Sequence, residues 1–211
     1  YSTDGKTWVQ SNVTSGAFKS VYYGNGIWVA GSGSNKGLYY SIDGKNWTQS
    51  NITSGYFKLI YYANGVWVTS GKGLYYSTDG KTWTQSNVTS GTFNSVYYSN
   101  GLWVAAGNGS GLYHSTDGKN WTYSNIASGY FNSVYYSNGL WVAGGSNGSH
   151  YSTDGKNWTY SNIASGGLHS VYYDNGLWVA AGNVLYYSTD GKTWVQSNVT
   201  SGAFKSVYYG N

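Results

Sequence analysis

Related heptapeptides pace this chain, beginning at Ser2, Ser41, Ser77, Ser115, Ser152 and Ser188. Most read Ser-Thr-Asp-Gly-Lys-(Thr/Asn)-Trp, and the intervals are 39, 36, 38, 37 and 36 residues. Periods of this size in a chain of strand-forming composition mean blades or solenoid coils. Within one unit, Ser95-Val96-Tyr97-Tyr98 leads through Asn100-Gly101 to Leu102–Ala106. Asn-Gly between two strand-like runs predicts a type I′ hairpin, because both turn residues need positive φ. Leu112-Tyr113-His114-Ser115 then leads through Asp117-Gly118 to Trp121–Ser124, which reads as a second hairpin with the same turn logic. These four strands, A to D, predict one antiparallel sheet per unit. No window carries a helical apolar period.

A flat four-stranded sheet has two faces to cover, and packing such sheets radially buries both. The expectation is therefore an all-β fold, a single β-propeller domain over 1–211 with four-stranded antiparallel blades. Five full blades fall at about 20–50, 59–86, 95–124, 133–161 and 170–197. Residues 1–25 and 187–211 are identical, giving a spare C–D hairpin at one end and a spare A strand at the other. A five-bladed ring leaves one copy redundant. A six-bladed ring would combine the pieces into a hybrid blade lacking strand B, leaving backbone groups unpaired, so five is favoured.

Charge is scarce, at 9%, and every charged side chain is Lys or Asp. With no Arg there is no bidentate fork for guanine or phosphate, which argues against nucleic-acid binding. Zero cysteine excludes disulfides and thiolate metal sites. No apolar run approaches a membrane span, and no signal-peptide pattern is present, so an export signal would lie outside this sequence. An extracellular or cell-surface setting is the expectation, with no cofactor.

The heptapeptide resembles the Asp-box (BNR repeat) of sialidase-like propellers, Ser-x-Asp-x-Gly-x-Thr-Trp, in a form one residue shorter. The resemblance covers all repeats and implies a structural turn between strands C and D. It implies that Asp4, Asp43, Asp79, Asp117, Asp154 and Asp190 accept hydrogen bonds within the turn. It also implies that Trp8, Trp47, Trp83, Trp121, Trp158 and Trp194 pack in the blade core. A second set, Trp28, Trp67, Trp103, Trp141 and Trp178, follows the Asn-Gly turns and is read as core. Sialidases of this fold clamp substrate with three arginines and use a Tyr/Glu pair, and this chain has neither Arg nor Glu. The one acid outside the repeated turns is Asp174, and His114, His150 and His169 sit at non-equivalent positions. No catalytic or metal site is expected.

Binding remains. The A–B and C–D turns leave one end of each blade, and the B–C and D–A loops leave the other. The D–A loops follow Ser-Asn-(Val/Ile)-(Thr/Ala)-Ser-Gly, while the B–C loops vary in length, as functional loops on rigid scaffolds do. The expected ligand is a neutral glycan, hydrogen-bonded by Asn12, Asn51, Asn87, Asn125, Asn162 and Asn198. Tyr39, Tyr75, Tyr113 and Tyr186, near the start of strand C, would supply stacking faces. The alternatives are a protein-interaction or structural module of an extracellular assembly, or an engineered propeller without a selected ligand. Self-association through the duplicated ends is a further expectation.

Overall fold

A computed structural model describes residues 1–163, 167–199 and 201–208. Part of the fifth D–A loop (164–166) and the last residues of the duplicated segment (209–211) lie outside the described residues. The fold is all-β, built from five four-stranded antiparallel sheets, each in chain order. The first blade comprises Phe18–Gly24, Ile27–Ser32, Leu38–Ser41 and Thr48–Gln49. The third comprises Thr92–Ser99, Leu102–Asn108, Gly111–Ser115 and Thr122–Tyr123. The chain divides into two compact units, Tyr1–Ser90 and Gly91–Asn211, holding two and three blades respectively.

The A–B turn is the predicted type I′. Asn25, Asn64, Asn100, Asn138 and Asn175 have φ of 47–51°, and each is followed by a glycine at positive φ. The C–D connection departs from expectation. The glycine of each heptapeptide is left-handed, at 69–71°, but no aspartate has positive φ. Strand D is only two residues long, so the connection is a longer loop than a two-residue hairpin. Side chains close it. In the second blade Ser77 Oγ donates to Asp79 Oδ1 at 2.8 Å, and that oxygen also accepts the backbone N–H groups of Lys81 and Thr82, each at 2.8 Å. The same set recurs at Asp4, Asp43, Asp117, Asp154 and Asp190. A carboxylate holding several donors replaces the backbone ladder that a tight turn would have supplied.

Core forms where one blade meets the next within a unit. In the first unit Ile27 and Val29, on strand B of the first blade, pack with Trp67 and Trp83 of the second. In the second unit Leu102 and Val104 pack with Trp141 and Trp158, and Leu140 and Val142 with Trp178 and Trp194. Trp67, Trp103, Trp141 and Trp178 are fully buried. Burying an indole removes 150–250 Å² from water, worth a few kcal/mol at about 25 cal/mol per Å². Trp28 and Trp47 are part-buried, and Trp8 departs furthest from the expected core, at 72% exposure.

Candidate functional site

The loop end of each blade is more tightly organised than loop composition suggests. Strand C is strapped to the D–A loop, with the N–H groups of Leu38, Leu74 and Leu112 donating to the carbonyls of Ile52, Val88 and Ile126 at 2.9 Å. The glycine beginning each of these strands is left-handed, and a Cβ on Gly37 would overlap the Ile52 carbonyl. Five of the D–A loops also fold on themselves. The N–H of Ile52 donates to Ser50 Oγ, and Val88, Ile126, Ile163 and Val199 repeat this with their own serines.

The asparagines expected to meet ligand are placed differently. Asn51 Nδ2 donates to the Trp83 carbonyl at 2.9 Å, while Asn51 Oδ1 accepts the Trp83 N–H at 2.8 Å. Asn12 grips Trp47 in this way, Asn125 grips Trp158 and Asn162 grips Trp194. An amide matches a peptide group donor to acceptor, so each asparagine clasps the next heptapeptide loop. These four amides are structural ties between blades rather than groups aimed at a ligand. Asn87 also has a partner, and Asn198 is exposed.

The strand-C tyrosines are likewise built in. Tyr39 and Tyr113 meet the strand-A rings of Phe18 and Phe93, and Tyr75 meets Phe57 just before strand A, all edge-on at 5.4–5.5 Å between centroids. Tyr113 also lies 4.1 Å from Tyr123 and is buried. Tyr186 is half-buried and pairs with Gln196 across the sheet. His150 takes the equivalent place in the fourth blade, 5.1 Å from Phe131 and 3.9 Å from Tyr160. It is 1% exposed and neither ring nitrogen has a hydrogen-bond partner, so burial pushes its pKa down to about 4.

What the loops do offer is two tyrosines that sequence reasoning passed over. Tyr56 is 64% exposed and Tyr130 55%. Both follow the glycine that ends a D–A loop, where other repeats carry Ala17, Thr92, Gly167 or Ala203. The available signal was a large aromatic at a loop position that elsewhere takes a small residue. Around Tyr56, the Gly55 N–H donates to Asn35 Oδ1 at 2.6 Å, tying the D–A loop to the B–C loop. Lys36 and Asn35 beside it are exposed. Tyr130 borders Gly109 of its own B–C loop, where a Cβ would stand 3.7 Å from the ring, and exposed Asn108 bridges to it. Each unit therefore presents an exposed phenol ring beside amide, hydroxyl and backbone groups.

Ionisable chemistry is confined. At Asp4 the backbone N–H of Thr7, then that of Lys6, hold the carboxyl well below the usual carboxylate range. At Asp117 burial opposes ionisation, yet the backbone and side-chain N–H groups of Asn120 outweigh it. Asp174 accepts the Asn175 N–H in an exposed turn. Among the described residues, no three His or Asp side chains gather where they could hold a metal.

No protein-family model matches the chain, and no curated protein matches it either. Solved structures do. The computationally designed Ika8 protein superposes with a TM-score of 0.72 at 9% identity, over 96% of this chain and 68% of its own. An ancestral GH74 enzyme superposes at 0.69 with 16% identity, over 90% of this chain and 32% of its own. YCF48 bound to D1 peptide superposes at 0.60 with 19% identity, over 92% and 71%. The fold is a β-propeller fold. At these identities the likeness concerns fold alone, and the chain spans about a third of the GH74 enzyme's length.

Proposed function

We propose that this propeller is a non-catalytic, extracellular binding module whose loop ends take neutral carbohydrate, with Tyr56 and Tyr130 as the stacking faces. The observation that carries the reading is the pair of exposed phenol rings on loops whose other polar groups mostly serve the fold. A phenol ring offers an apolar face to the C–H side of a sugar, and nearby amides and hydroxyls can meet its oxygens. With no Arg, acidic sugars have only lysines to answer their charge. Each site is shallow and weak, so recognition rests on several engaged together. The repeated aspartates, each occupied by donors in its own turn, serve as a shortened Asp-box and leave no free carboxylate pair of the kind glycoside hydrolysis uses.

A glycan array read with a multimerised form of the protein tests this. Neutral hexose or N-acetylhexosamine ligands should appear, and Tyr56→Ala combined with Tyr130→Ala should remove them without lowering the melting temperature. An empty array with clustered protein, or binding that survives the double substitution, refutes the reading. The second reading is peptide binding, favoured by the peptide held on the YCF48 neighbour. It gains if peptide libraries select ligands through the same tyrosines.

A further inference from the structure

Three blade-to-blade junctions lie wholly within one compact unit, first to second, third to fourth and fourth to fifth, and they share a core of contacts. Strand-B apolar groups cover the glycine of the next heptapeptide. A Cβ on Gly80 would stand 3.2 Å from Ile27 and Val29, and one on Gly155 or Gly191 would overlap Leu102 or Leu140. The heptapeptide Trp is buried beside them. Where the preceding repeat has a tyrosine on strand C, the heptapeptide Lys lies over it, Lys81 on Tyr40 and Lys192 on Tyr151, and Lys45 lies over Tyr1 of the N-terminal hairpin in the same way, at 5.4–5.7 Å. The D–A asparagine then clasps the Trp backbone.

Both halves of this junction also occur uncovered. On the hairpin closed by Tyr1 and Val9, Gly5 has nothing within 4 Å of a Cβ position, and Trp8 is 72% exposed where Trp83, Trp121, Trp158 and Trp194 are 3–4%. On the fifth blade, Leu177 is 36% exposed against 5–7% for Ile27, Leu102 and Leu140, and Tyr187 is 40% exposed. Leu177 and Val179 line an open cavity of about 210 Å³ with Tyr172 and Tyr208. We infer that the fifth blade of one copy receives the Tyr1–Val9 hairpin of a second copy in the repeat's own junction. Leu177 and Val179 cover Gly5 and Trp8, Lys6 lies over Tyr187, and Asn198 clasps the Trp8 backbone. The complementarity is inherited. Residues 1–12 are identical to 187–198, and the latter already fit this junction behind the fourth blade.

Such an interface is heterologous, joining different surfaces of two copies, so it propagates or closes as a ring of copies. Sedimentation of the 211-residue chain over a concentration series should show mass rising past the dimer. Leu177→Asp removes one half and Trp8→Asp the other. Each variant alone should stay monomeric with an unchanged far-ultraviolet spectrum, and an equimolar mixture should give a dimer and nothing larger. Asn198→Ala, which touches no core group, should weaken association about tenfold. A wild-type chain that stays monomeric throughout overturns the inference, as do single variants that associate like the wild type.

Discussion

His150 stands where the other blades have Tyr39, Tyr75, Tyr113 and Tyr186, and it carries the buried imidazole of the second unit. Its folded pKa is depressed to about 4 from 6.5. The unfolded chain therefore takes up the proton first, and stability is full above pH 6.5 and declines toward pH 4. The loss reaches roughly 3 kcal/mol by pH 4, at 1.36 kcal/mol per pKa unit. His150→Tyr should place a phenol beside Tyr160 as Tyr113 sits beside Tyr123. Burial also lowers the pKa of His114, so thermal melts between pH 7 and 4.5 should slope less for the variant than for the wild type; parallel slopes would count against the assignment. Asp79→Ala removes an acceptor serving three donors and should cost about 1–3 kcal/mol. The loop tyrosines Tyr56 and Tyr130 escaped sequence reasoning because exposure is decided by what packs above a residue, and a single aromatic in a loop does not declare that.

At the level of the element, strands were legible and their ties were not. Alternation and Asn-Gly fixed the A–B hairpin down to the sign of φ. The C–D loop misled because Asp-Gly is also a hairpin signature, whereas here the aspartate organises the loop with its carboxylate instead of entering the left-handed region. The asparagine clasp was hidden for another reason. Its partners lie 32–35 residues apart, and a polar loop amide reads equally as ligand group or strut until the neighbouring blade is in place. Asn162→Ala leaves the Trp194 N–H and carbonyl without that partner and should lower unfolding free energy by about 1–3 kcal/mol. Asn162→Asp keeps only the acceptor and should fall between the two. Denaturant titration reads both, and an unchanged midpoint in the alanine variant would contradict the tie.

For the molecule as a whole, repetition multiplies small terms. All six heptapeptide aspartates are held below the ordinary carboxylate range. Their stabilisation is present above about pH 4 and is lost as the pH falls further, since the unfolded chain binds those protons first. Melting temperature should drop steeply between pH 4 and 2, well beyond the His150 effect, and a melt insensitive to that range would deny the carboxylates their role. The period, the blade count, the core tryptophans and the spare ends were visible in the sequence because each recurs; the exposed loop tyrosines were not, because they are where recurrence stops. Trp8 shows the use of such an exception. Five tyrosines sit 4.7–5.0 Å from strand-B tryptophans, so tyrosine excitation drains into indoles that are largely shielded. Trp8 is the one tryptophan in the exposed range, at 72%, which gives the native chain an intrinsic iodide-quenchable, red-shifted reporter whose colour registers whether its hairpin is covered.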